Sequence, residues 1–149
     1  MERLRRFIWY LAGRLFLLLT LLSLFTVTFY YAMNATNIYI VLKDGMAKRA
    51  QVIMMEEDAS ELTKFFQSSY LQRDQNLQIA LAGKSPYTYY TVRGIDHRLK
   101  MTWMWCWPWD TTARAEFTET IPRIDGRVKS SSADAARALY GDGFEYPPK

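Results

Sequence analysis

Four tryptophans at every second position are the residues of this chain best suited to binding. They are Trp103, Trp105, Trp107 and Trp109, and alternate residues of a β-strand project from one face. Each indole can bury a large apolar area. In one interpretation Trp103 and Trp105 pack in a core beneath helices. In the other, Trp107 and Trp109 stay exposed near a turn and contact a protein partner, a glycan or lipid headgroups.

Asp96 and His97 are the residues that could perform acid–base chemistry, since His97 is the single histidine. They fall on a predicted bend, Gly94–Arg98, where polar residues are ordinary turn material. No nucleophile or second histidine accompanies them, so a hydrolase using Asp96 and His97 is the weakest interpretation. Cys106 is expected to be a buried apolar side chain.

The sequence predicts neither a metal site nor a cofactor. Metal sites need three or four clustered ligands, and the seven glycines form no phosphate-binding or dinucleotide-binding motif. A third kind of site stays open, an aromatic pocket between sheet and helices that binds a small ligand. Its predicted lining is Tyr87, Tyr89, Tyr90 and Trp103.

The elements that would position these residues change from helical to extended after Ser85-Pro86. Apolar spacing predicts a helix over 36–55, which either continues a preceding helix or restarts near Asp44, and a short helix over 59–67 that begins at Asp58. Alternating residues predict an antiparallel hairpin ended by Pro122, with strands over 98–107 and 112–121. Further short strands are predicted over 87–93 and 124–128, and a helix over 135–140. The predicted fold class is α+β, with helices packed on a curved antiparallel sheet of at least three strands.

Residues 15–33 form a run of 19 residues without a charge, proline or glycine. About 20 helical residues cross the roughly 30 Å hydrocarbon core of a bilayer, so the run predicts one membrane span. A cleaved signal peptide is the alternative, although the run is long and only a poor cleavage motif, Met33 and Ala35, follows it.

Charge predicts the orientation of the span. Residues 1–14 carry four arginines against one glutamate, whereas the remainder carries 15 basic and 14 acidic residues. Basic residues favour the cytoplasmic side, which places the rest of the chain outside. The near-neutral remainder lacks the concentrated basic face of a nucleic-acid binder, so no nucleic-acid partner is expected.

These observations divide the chain into four parts. We predict a cytoplasmic basic segment over 1–14, a transmembrane helix over 15–35, an extracytoplasmic α+β domain over 36–140 and a flexible tail over 141–149.

The stretch Gly94–Lys129, with its W-x-W-x-W-P-W element, resembles small single-pass membrane proteins of endospore-forming bacteria. More broadly, an anchor followed by helices and a bent sheet is similar to membrane-tethered NTF2-like domains. These include VirB8-like conjugation proteins and ring-forming sporulation channel proteins. The resemblance implies a scaffold or assembly role outside the membrane and transfers no catalytic residue.

Together these observations predict a non-enzymatic protein anchored in the cell membrane of a bacterial envelope, with a protein partner or a second copy of itself bound outside. Trp107, Trp109 and Phe117 are the predicted partner contacts. The aromatic pocket and the hydrolase are the alternatives.

Overall fold

The computed structural model describes residues 2–107 and 109–148. It is an α+β fold with a long apolar helix at the N-terminus, shorter helices and a two-stranded antiparallel sheet. The helices are α1 (Glu2–Met55), α2 (Ser68–Arg73), α3 (Gln75–Leu81) and α4 (Ala133–Tyr140). The strands are β1 (Tyr90–Cys106) and β2 (Ala113–Val128).

Helix α1 contains 54 residues and continues through Asp44 without a restart. Its apolar window is long enough to cross a membrane and none of that window is buried, so it is not the core helix of a globular domain. Threonines within it satisfy their hydroxyls internally: Thr20, Thr26 and Thr28 each donate to the carbonyl four residues earlier. Serine and threonine within helices commonly bond back to that carbonyl.

Compactness divides the chain into two units. The tip unit combines α1 up to Ile38 with Met104–Ala115, where the hairpin turns. The base unit combines Tyr39–Trp103 with the chain from Glu116 onward.

The core of the base unit is small and lies where α1 meets the short helices. Val52, Leu62 and Leu77 form its buried centre. Gly45 allows the close approach, because a Cβ there would lie 3.0 Å from the Cβ of Phe65. A side chain at position 45 would displace Phe65, so the glycine makes room for this packing.

Asp58 begins the segment after α1 as predicted, since its side chain accepts from the Ser60 backbone N–H at 3.0 Å. The segment is a short 3-10 helix, Ala59–Lys64, rather than an α-helix over 59–67. Just before it, Glu56 has a backbone φ of 57°, the left-handed conformation that favours glycine at helix ends. Its carboxylate accepts from Lys129 Nζ at 3.2 Å.

The hairpin was predicted correctly in its pairing, but its strands are longer than expected. β1 runs through Gly94–Arg98, so the predicted bend is absent from the described residues and the segment 87–93 is not a separate strand. The inward positions change parity there: Tyr90 and Val92 are buried, then Leu99. A change of parity interrupts the simple alternation on which the sequence prediction depended.

β2 likewise runs through Pro122 and absorbs the predicted strand 124–128. In a two-stranded sheet every strand is an edge strand, and an edge tolerates proline because its missing N–H need not pair. The described residues therefore form two strands, not the three or more that were expected.

The predicted flexible tail makes specific contacts. Val128 N–H donates to the Glu145 carbonyl at 3.2 Å, and Pro147 is buried. A Cβ added to Gly126 would meet Pro147 Cγ at 3.0 Å and the Thr91 carbonyl oxygen at 3.0 Å. The tail thus packs where β2 lacks a side chain.

Candidate functional site

A chain of ionic contacts lies inside the base unit. Arg49 on α1 donates to both carboxylate oxygens of Asp74, with Nη2 to Oδ1 at 3.0 Å. Its Nη1 lies 3.7 Å from Glu119 Oε2 on β2. The Arg49 and Asp74 side chains are only 14% and 7% exposed. The buried, bidentate pair joins α1 to the start of α3, and the longer contact to Glu119 adds β2.

Asp74 has two roles in this contact. Besides accepting from Arg49, it caps α3 by accepting from the Leu77 backbone N–H at 3.2 Å. Burial of the carboxyl acts to raise its pKa, but the hydrogen bonds from Arg49 and Leu77 and the arginine charge outweigh burial. The pKa of Asp74 therefore lies below its ordinary value of 3.8.

His97 belongs to the same contacts and not to an Asp96–His97 pair. It donates from Nε2 to Glu119 Oε1 at 2.9 Å, and its side chain is 5% exposed. Its Nδ1 is buried without a partner among the described residues. Asp96, its neighbour on the strand, instead accepts from the exposed Arg98. Adjacent strand residues point to opposite faces, which separates the two predicted hydrolase residues.

A cavity of about 370 Å³ opens beside this ionic chain. Arg49, Glu119, Asn76 and Ser85 give it polar groups, and Ile53, Ile79, Pro86 and Ile121 give it an apolar wall. Its size and its few convergent polar groups are those of a small-molecule site.

The aromatic residues predicted to line a pocket are placed differently. Tyr87 lines the cavity, whereas Tyr89, Tyr90 and Trp103 are not among its lining residues. Tyr90 is buried against Tyr140, with the ring centroids 6.2 Å apart. Trp103 is 48% exposed, so the core that was predicted beneath the helices does not bury it.

The tryptophans of the tip unit form a continuous row. Trp105 and Trp107 meet edge to face, and Trp107 and Trp109 stack, each pair with centroids 5.1 Å apart. Trp105 also packs on the Tyr31 ring of α1 at 5.9 Å. Trp105, Trp107 and Trp109 are hereafter the aromatic row. Phe117, the third predicted partner contact, lies on β2 in the base unit and is 38% exposed.

Sequence reasoning missed the ionic chain for identifiable reasons. Asp74 before an apolar run is a recognisable helix cap, and that signal was available. The contact between His97 and Glu119 follows only once β1 is known to run through Gly94. Arg49 resembled any charged residue on a helix, because its partners come from remote parts of the chain.

No protein-family model, curated protein or solved structure matches this chain.

Proposed function

We propose that this chain is a membrane-anchored, non-enzymatic protein of a bacterial envelope whose extracytoplasmic part binds a protein partner or a second copy of the chain. Helix α1 supports the anchor by its length, its exposed apolar window and the arginines that precede it. Anchoring concentrates the extracytoplasmic part near the membrane, which strengthens weak lateral contacts.

A retained anchor fits the fold better than a cleaved signal peptide. Cleavage after Ala35 would cut a helix that is continuous to Met55. It would also remove Tyr31, whose hydroxyl donates to the Met104 carbonyl at 3.1 Å and whose ring packs against Trp105.

The hairpin is the observation that supports binding of a protein. β1 and β2 contain 17 and 16 residues and pair only with each other among the described residues, so each strand has an outer edge. Such edges offer backbone donors and acceptors to a strand of another chain. Phe117 adds an exposed aromatic ring to β2. The NTF2-like version of the fold stays part of the proposal, although two strands are fewer than a cone-shaped sheet needs.

Photocrosslinking in intact membranes tests the protein partner. A photoreactive residue replaces Phe117 in one variant and Thr118, on the opposite face of β2, in its matched control. An adduct at Phe117 alone indicates a partner on that face, and adducts at both positions indicate a partner at the strand edge. A doubled mass identifies a second copy. If neither position gives an adduct, β2 does not contact a protein.

Carbonate extraction and cysteine labelling test the anchor. In a Cys106→Ser background, Lys43→Cys should react with an impermeant maleimide added to intact spheroplasts, and Glu2→Cys should react only after permeabilisation. Release by carbonate, or the reverse labelling, contradicts the proposed placement.

The cavity favours a second candidate function, binding of a small molecule with a polar end and an apolar body. The polar end would meet Arg49, Asn76 and Glu119, and the body would lie against Ile79 and Ile121. Native mass spectrometry of the detergent-solubilised protein tests this candidate. A bound small molecule should be present in the wild type and lost from Ile121→Trp, which fills the cavity. Two ligand-free spectra would count against it.

A further inference from the structure

The aromatic row lies against the end of the predicted membrane span. Val27, Thr28 and Tyr31 of α1 line an apolar groove of about 240 Å³, and the aromatic row forms its other wall. These helix residues belong to the uncharged run 15–33. The hairpin tip therefore does not stand clear of the span but packs along its last turns.

The depth of the row follows from the rise of the helix. Val27 and Tyr31 are four residues apart, about 6 Å at 1.5 Å per residue. Met33 ends the apolar run two residues beyond Tyr31. The row thus lies level with the last one to two turns of the span, where the acyl chains meet the headgroups.

The polar residues of the tip lie where this placement requires them. Asp110, Thr111 and Thr112 border a second cavity whose helix side includes Tyr30, Asn34 and Asn37. Asn34 and Asn37 follow the apolar run. The polar turn therefore lies beside the helix residues that follow the predicted span.

We propose that the aromatic row binds lipid, at the headgroup–acyl boundary of the outer leaflet of the membrane that α1 spans; this inference rests on the proposed anchor. Indole rings concentrate at that depth because their apolar body and polar N–H suit its two sides. Trp105, Trp107 and Trp109 remain 44%, 46% and 76% exposed within the chain, so their free surfaces are open to lipid. The protein would then contact the membrane through both the span and the tip of the hairpin.

Quenching by brominated lipid tests this placement. A single-tryptophan protein is prepared by changing Trp9, Trp103, Trp105 and Trp107 to phenylalanine, which leaves Trp109. It is reconstituted in phosphatidylcholine vesicles with bromine at defined acyl depths. We expect Trp109 to lose most of its emission to shallow bromines, less to deep bromines, and little to aqueous acrylamide. The matched control retains only Trp103, in the base unit.

The outcomes separate this inference from the proposed anchor. If carbonate releases the reconstituted protein, the anchor itself is wrong. If the protein stays integral but acrylamide quenches Trp109 while brominated lipid does not, the anchor holds and the lipid contact is refuted. Protection from both quenchers that disappears as the protein is diluted in lipid assigns the row to a second copy, which also refutes it.

A spin label avoids the four substitutions if they prevent folding. Trp109→Cys in the Cys106→Ser background places one label at the tip, and Lys100→Cys places the control label on the exposed part of β1. Lipid contact predicts that oxygen relaxes the label at position 109 more than a water-soluble nickel chelate does, with the reverse at position 100. Equal preference for the chelate at both positions overturns the inference.

Discussion

Arg49 joins three elements of the base unit through ionic contacts. It reaches from α1 to Asp74 at the start of α3 and to Glu119 on β2, and His97 extends the contacts to β1. A buried ion pair contributes little relative to an apolar replacement of the whole pair, but removing one partner leaves an uncompensated charge. The chemistry of the contact therefore makes single substitutions severe.

Arg49→Met should destabilise the base unit by about 3–5 kcal/mol, because the buried Asp74 carboxylate loses its cation. Urea unfolding of the detergent-solubilised protein, followed by tryptophan fluorescence, measures the change. Arg98→Met is the matched control: it removes an exposed arginine paired with Asp96, and because solvent screens such a pair its loss should be much smaller. If both variants lost the same free energy of unfolding, the buried contact would not stabilise the protein more than the exposed one.

Asp74 should make stability depend on acid pH. Its folded pKa lies below the value of 3.8 expected when unfolded, so the unfolded state binds more protons and stability rises with pH across that window. The contribution is complete above an unfolded pKa of about 4 and is lost as pH falls through the folded pKa. In Asp74→Asn the free energy of unfolding should be lower at neutral pH and should fall less between about pH 5 and 3. An unchanged slope would contradict this role.

At the scale of elements, the hairpin shows how far sequence patterns reach. Alternation over 112–121 predicted β2 and its pairing with β1 correctly, because period two is a local property. Pro122 and Gly94 predict the ends of strands, although β2 and β1 run through them. The sequence does not show that each strand lies at an edge of the sheet. It also does not show that the buried positions of β1 change from even to odd numbers. The cavity and the ionic chain depend on tertiary contacts among α1, α3 and β2, so the sequence offered only the helix-cap position of Asp74 and the aromatic Tyr87 as local signals.

Two glycines of the hairpin should respond oppositely to alanine. At Gly126 a Cβ would lie 3.0–3.1 Å from the backbone of Thr91 and Val92, so Gly126→Ala should cost about 1–3 kcal/mol as an overpacked contact. At Gly94 nothing lies within 4 Å, so Gly94→Ala should be neutral or gain up to about 1 kcal/mol through the unfolded chain. Urea midpoints measure both, and a loss at Gly94 equal to that at Gly126 would contradict the packing described.

At the scale of the whole molecule, one helix serves two compact units. Helix α1 is about 81 Å long at 1.5 Å per residue, and its first part belongs to the tip unit and its last part to the base unit. The predicted boundary between span and domain at residue 35 is therefore not a boundary in secondary structure. Helix α1 ends at Met55, where the chain reverses at Glu56, and not at the end of the apolar run.

The mature protein should retain its N-terminus. Intact mass spectrometry of protein purified from membranes should give the full-length mass of 17.5 kDa. Cleavage after Ala35 would remove 35 of the 149 residues, about a quarter of the mass, and would leave a protein that carbonate extracts. Such a truncated mass would establish a signal peptide in place of the anchor.

Glu56, the left-handed residue directly after α1, should make the chain reversal there depend on ionic strength. Glycine would adopt the φ of 57° at position 56 without steric cost, yet the chain places there a glutamate that reaches Lys129. Added salt screens this half-exposed pair but leaves the backbone strain unchanged. The chain reversal after α1 should therefore become less stable as the salt concentration rises, and Glu56→Gly should remove this dependence on salt.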